Sequence, residues 1–386
     1  MAPLIATAPS LIMNTIPKSF TPPKIRLMGP GPSQVSDRVL AAMARPTIGH
    51  LDPDFIGLMD EIGDLLRSAM RTENNLTFPV SAPGSAGMET CLVNLLEPGD
   101  TAIVCINGVF GGRMKQVVER CGADAVTVED DWGKPVSPEK VEAAFKASPN
   151  AKLIAFVHAE TSTGAFSDAQ TICQIAKDHG ALTVVDAVTS LAGIELEVDR
   201  WNIDAVYSGS QKCLSCPPGL SPVSFSKKAV AALKARRTPV QSWFLDLSLV
   251  ADYWLGEGAR AYHHTAPVNS MYALHESLIM LHEEGLAQSW SRHRNNSQKL
   301  QNGLTELGFE FLVDKQCRLP QLISVRIPDY VGDEAQTRRR LRDEFALEIG
   351  AGLGPLAGKV WRIGLMGASS TQDNIDACLN AFSSLR

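Results

Sequence analysis

Strand-length apolar runs alternate with amphipathic stretches through the first three-quarters of the chain. This alternation constrains the fold more than any other feature. TAIVCI (101–106) is followed by GGRMKQVVERCGA, where Met114, Val117, Val118 and Cys121 recur at helical spacing. AVTVE then reads as a strand, and SPEKVEAAFKAS as a helix opened by Ser137 with Pro138 at its first position. KLIAFVHAE, the helix DAQTICQIAKDHG stopped by Gly180, ALTVVDA, AVYSGSQK and SPVSFSKKA continue the series. Strands alternating with helices imply βαβ crossovers and a mostly parallel sheet buried on both faces, an α/β fold. Around 271–305 the text changes to long helical material. Beyond it, QLISVRIP, DEAQTRRRLRDEF, VWRIGLM and TQDNIDACLNAFSSL form a shorter α+β unit. The expected organisation is an N-terminal arm (1–24), a large domain (25–284) and a small C-terminal domain (285–386).

Charge and composition narrow the function classes. The 386 residues carry 36 Lys+Arg against 42 Asp+Glu, a net charge of −6, without the basic field of a dedicated nucleic-acid binder. RRRLR (338–342) reads as a solvated helix face. The longest apolar runs are strand-sized, far from the ~20 residues that span a bilayer. Neither nucleic acid nor membrane is an expected partner. Eight cysteines, mostly in apolar surroundings, read as free buried thiols and favour a reducing compartment. No basic residue precedes Lys18, and the chain ends Ser384-Leu385-Arg386, so the cytoplasm is the expected location.

In an open α/β sheet, ligands bind beyond the carboxyl ends of the strands. ALTVVDA ends in Asp186, AVYSGSQK in Ser208, Ser210, Gln211 and Lys212, and KLIAFVHAE in His158, Glu160 and the turn TSTG. SAPGSAGMET passes through Gly84, Ser85, Ala86 and Gly87 into a helix. A parallel sheet brings all four loops to one edge. The small-residue helix start suits an anion, or simply close packing. Asp186, at the end of an apolar strand, needs a partner: a backbone N–H, an arginine, or a protonated ring nitrogen. Asp186, Lys212 and a phosphate nest on three strand ends are together the parts that hold pyridoxal phosphate.

Here the sequence resembles the class V, fold-type I aminotransferases, most closely their alanine–glyoxylate and serine–pyruvate branch. SGSQKCLSCPPG, VVDAVTS, HAETSTG, EPGD, YHHT and WRIGLMG occur in the family's order from about MGPGPS (28–33) to the last helix. The resemblance implies a seven-stranded large-domain sheet, a pyridoxal 5′-phosphate cofactor and a homodimer. It implies that Lys212 links the cofactor and moves the proton, and that Asp186 keeps the ring nitrogen protonated. Gly84, Ser85, Ala86 and Gln211 would hold the phosphate, with Tyr262 and Thr265 reaching in from a second subunit. Ser162 would bond the ring hydroxyl region, Phe110 would stack on the ring where relatives often carry Trp, and Arg362 would clamp the substrate carboxylate beside Gly31. Ala82-Pro83 stands where relatives commonly have Ser-Gly.

The expected reaction is ping-pong transamination from alanine, or serine, to glyoxylate or another small 2-oxo acid. No second arginine stands in a motif suited to a distal carboxylate. The alternatives are a lyase or desulfurase on the same fold, for which Cys317 is the only loop cysteine, and a non-catalytic scaffold. Cys213 and Cys216 form a lone C-x-x-C, too little for a zinc site, and no metal is expected. The adjacent His263 and His264 are expected to point apart and pack at a cofactor edge or interface. His275 and His282 share a helix face and read as surface residues.

Overall fold

The computed structural model describes residues 17–256 and 260–385. Of the N-terminal arm, residues 1–16 lie outside the described residues, and 17–24 are exposed. Seven strands form the central sheet: β1 (Leu76–Val80), β2 (Thr101–Ile106), β3 (Asp124–Glu129), β4 (Leu153–Val157), β5 (Leu182–Asp186), β6 (Ala205–Tyr207) and β7 (Ser221–Phe225). Their order is β1-β7-β6-β5-β4-β2-β3. β7 is antiparallel to β1 and β6; every other pairing is parallel. Every residue of β1, β4, β5, β6 and β7 is buried, which is why these runs are mostly apolar and carry one charged residue, Asp186. β3, at the edge, keeps Asp124 and Glu129 exposed.

The crossover helices start where their capping chemistry predicts. Ser137 Oγ accepts from the Lys140 N–H, with Pro138 behind it, and Asp168 accepts from the Thr171 N–H. The long helical stretch is two helices, Val268–Glu284 and Leu286–Glu306, broken at Gly285. Its φ of 89° is a left-handed value that glycine adopts without a steric penalty.

Beyond the break, β8 (Leu322–Arg326), β9 (Gly350–Ala351) and β10 (Val360–Gly364) form an antiparallel sheet in the order β8-β10-β9. Leu300, Leu304, Ile323, Trp361 and Phe382 share one buried cluster, while Leu274, Leu278 and the central sheet belong to a larger one. On that division we propose Gly285 as the boundary between the units. Residues 26–28, assigned by chain order to the large domain, pack on the smaller unit. Arg26–Leu27 pairs in parallel with Leu347–Glu348, and Met28 sits in the smaller cluster. The RRRLR arginines make surface ion pairs: Arg338 to Glu334 at 2.8 Å, Arg340 to Glu344 at 2.9 Å and Arg342 to Asp343 at 2.7 Å. Among the described residues no helix is long and apolar enough to cross a membrane.

Candidate active site

The carboxyl ends of β1, β2, β4, β5 and β6 share one sheet edge, and the loops leaving them enclose a cleft. Gly84, Ser85, Phe110, Asp186, Gln211 and Lys212 all line it. Asp186 is buried, its Oδ1 accepting from the Val188 N–H at 2.8 Å and its Oδ2 from the Tyr207 hydroxyl at 2.7 Å. Burial pushes its carboxyl up to about 7, against the pull of those two donors and of Lys212. Burial likewise lowers the Lys212 ammonium to about 8, with Arg362 adding to the effect.

The lysine loop is tied to the segment 30–33. Lys212 Nζ donates to Pro30 O, Ser33 Oγ to Lys212 O at 2.7 Å, and the Ser33 N–H to Gln211 O at 2.8 Å. Gly31, with φ 107°, lies against the amine, and a Cβ there would collide with Lys212 Nζ. The helix Gly84–Leu95 opens at Pro83, which supplies no side-chain cap. Its start faces the cleft, where the Arg113 guanidinium donates to Ser85 Oγ at 3.1 Å and lies over the Phe110 ring.

Arg362 projects from β10 and is buried. Its Nε donates to Ala351 O at 2.7 Å and its Nη1 to Thr161 O at 3.0 Å, and Thr161 lines the cleft. A nucleophilic amine, a buried carboxylate, an anion-favouring helix start and a fork-shaped cation thus meet across two units of the fold.

Residues 29–377 match the family model for class-V aminotransferases. The chain belongs to that family. It is 40% identical to the alanine–glyoxylate aminotransferase of Oryctolagus cuniculus, covering 94% of this chain and 93% of that one. It is 35% identical to the (S)-ureidoglycine–glyoxylate transaminase of Bacillus subtilis, covering 90% and 87%. A crystal structure of the alanine–glyoxylate aminotransferase from Nostoc sp. superposes with a TM-score of 0.93 at 43% identity, covering 96% and 97%.

Ser162, Ala86 and the histidines of this aminotransferase stand differently from what the sequence predicts. Ser162 Oγ donates to Glu160 Oε1 at 2.6 Å and accepts from the Val109 N–H, so its hydroxyl is committed away from the cleft; its neighbour Thr161 lines the wall instead. The Ala86 N–H is held by Pro83 O at 2.7 Å. Tyr262 is 64% exposed and Thr265 is exposed, and neither lines the cleft of its own chain. His263 and His264 do not point apart: their Nδ1 atoms are 2.8 Å from each other, His264 Nε2 meets Ser81 Oγ, and His263 stacks on Trp243. His275 bonds Glu61 and His282 the Leu278 carbonyl, both half-buried rather than on the surface. Burial pushes the Cys213 and Cys216 thiols up to about 12 and raises Cys317 too, the opposite of what a nucleophilic thiolate needs. Three residues escaped the reading: Tyr207 and Arg113 entirely, and Glu160 in role. Tyr207 pairs in register with Asp186 across β5 and β6, a neighbour relation that only the strand order reveals.

Proposed function

We propose that this aminotransferase carries pyridoxal 5′-phosphate on Lys212 and passes the amino group of alanine, and secondarily serine, to glyoxylate. Alanine then leaves as pyruvate, and glyoxylate as glycine. The observation that carries this reading is the convergence of Lys212, Asp186 and an uncapped helix start on one cleft, with Arg362 bonded to its wall at Thr161. The residues fit the cofactor. The helix start at Gly84 and Ser85 offers N–H groups to a phosphate. Gln211 leaves a buried Oε1 without a partner, and its amide turned over presents Nε2 there as a donor. Asp186 is a buried acceptor placed for a protonated ring nitrogen.

When bound, pyridoxal phosphate supplies an aldehyde for a lysine amine and a ring that accepts the electron pair of the donor's Cα–H bond. Lys212 Nζ, whose ammonium burial lowers to about 8, would hold the aldehyde carbon as a free amine and, once displaced by the substrate's amino group, would take the Cα proton and return it. Asp186 keeps the ring nitrogen protonated. Arg362 receives the substrate carboxylate in a charge-assisted pair, and Phe110 covers the ring. Tyr262 and Thr265 complete the partner's site in a homodimer. Their exposure supports this, as do the exposed Trp243, Phe244 and Leu255 of the preceding segment. All eight cysteines are free, which suits the cytoplasm.

Glyoxylate is the co-substrate named in both curated relatives above. Arg113 stands at the Ser85 end of the cleft, where the phosphate would sit, so a distal donor carboxylate elsewhere in the site stays unpaired at a cost of a few kcal/mol, about a hundredfold in efficiency. The test compares catalytic efficiencies of alanine, serine, aspartate, glutamate, (S)-ureidoglycine and 2-aminoethylphosphonate with glyoxylate as acceptor. Alanine should lead. Glutamate or the phosphonate ahead of alanine would overturn the substrate assignment.

A further inference from the structure

Glu160 is a fully buried carboxylate that the chemistry above does not use. Burial raises its carboxyl above the usual carboxylate range, and four donors converge on it that favour the charged form. The Ser162 N–H and Oγ reach Oε1 at 3.0 and 2.6 Å, the Phe110 N–H reaches Oε2 at 3.2 Å, and the Gly111 N–H also donates. The Phe110 and Gly111 donors are free N–H groups in the first turn of the helix Val109–Arg120, whose cap residue Gly108 has no side chain to satisfy them. Glu160 therefore caps that helix from another loop. The fit is close: a Cβ on Gly108 would collide with Glu160 Cδ and Ser162 Oγ. The helix so capped carries Phe110 at its second position, and Glu160 partly offsets the burial that lowers the Arg362 guanidinium to about 10.

We propose that Glu160 is a positioning residue, which as a trans cap on the helix Val109–Arg120 sets the Phe110 ring at the height where it stacks on the cofactor. The inference rests on the pyridoxal phosphate reading and adds the residue that aims the ring. An anionic cap accepts at both oxygens, on the Ser162 side and on the helix side, whereas a neutral amide accepts at one end only and its nitrogen repels the N–H groups at the other.

The experiment measures pyridoxal phosphate affinity of the apoprotein and the visible circular dichroism of the bound cofactor. Variants are Glu160→Gln, Gly108→Ala, Phe110→Leu and the double variant Glu160→Gln/Phe110→Leu. Ser137→Ala, which removes a cap from the remote helix Pro138–Ala147, controls for lost stability. Glu160→Gln and Gly108→Ala should each weaken cofactor binding roughly tenfold, the loss of a charge-assisted bond, and alter the dichroic band. Ser137→Ala should change neither. The double variant should bind no worse than Phe110→Leu alone. If the two losses multiply, or if Glu160→Gln binds like the parent, Glu160 does not act through the ring and the proposal falls. A parent protein that takes up no pyridoxal phosphate overturns the underlying reading instead, and this inference with it.

Discussion

In the proposed reaction Lys212 is the residue on which the chemistry turns, and its surroundings suit that role. Moving its amine from water into the cleft lowers its pKa from the ordinary 10.5 to about 8, so an appreciable fraction is neutral near physiological pH. Lys212→Ala should abolish borohydride-fixable cofactor and turnover while leaving the fold intact, as read by mass spectrometry of the reduced protein. Cofactor fixed at another lysine would reject the assignment. Asp186 is prepared in the opposite sense, its carboxyl raised from 3.8 to about 7 in the cofactor-free protein. The sign follows from proton counts. Between about pH 4 and 7 the folded chain keeps a proton on Asp186 that the unfolded chain has released, so this residue's contribution to stability falls as pH rises through that window. Asp186→Asn should remove the slope, worth a few kcal/mol at most, and weaken cofactor binding. The check is the thermal midpoint of both apoproteins from pH 4 to 8; parallel curves would contradict it.

At the scale of elements, the site depends on how closely the helix Gly84–Leu95 rides on the sheet. Gly87 makes that approach possible. A Cβ there would collide with Ser221 Oγ on β7 and come within 3.1 Å of Tyr207 Cβ on β6. Since Tyr207 is the hydroxyl partner of Asp186, a displaced helix disturbs both the proposed phosphate end and the proposed ring-nitrogen end. Gly87→Ala should therefore cost about 1–3 kcal/mol of stability, as overpacking does, and lower cofactor affinity. Gly112→Ala, where an added Cβ meets nothing within 4 Å, should do neither. Denaturant midpoints and cofactor titration of the two variants separate packing from glycine's intrinsic flexibility.

For the whole molecule, the two units meet around the lysine and the arginine. Arg362 comes from the smaller sheet and reaches Thr161 O in the larger unit, and the Ala368 N–H just beyond β10 donates to Ser215 Oγ, three residues after the lysine, at 2.7 Å. The exposed Tyr262 and Thr265 motivate a hybrid experiment on the proposed dimer. Lys212→Ala protein mixed with Tyr262→Ala/Thr265→Ala protein should regain part of the activity, since one site of each hybrid inherits an intact lysine and intact cross-subunit contacts. Full turnover by a dilute monomer, or no recovery on mixing, would reject the shared site.

Local chemistry was legible in the chain because it is written at short range. The period of the apolar runs announced the strands, Ser137 and Asp168 announced their helices, and the strand ends at Asp186 and Lys212 announced one edge. Those signals depend on residues a few positions apart, which the backbone holds in a set geometry. What no periodicity encodes is which strand lies beside which, or which way a turn aims a side chain. Tyr207 reaches Asp186 only because β6 pairs with β5. The TSTG turn presents Thr161 to the cleft and commits the Ser162 hydroxyl to Glu160. His263 and His264 are held Nδ1 to Nδ1 by groups far off in sequence, Ser81 at His264 Nε2 and Trp243 stacked on the His263 ring. Burial, the cause of every shifted acidity in the site, is likewise a property of the assembled fold: a carboxylate is costly only once its neighbours have removed the water.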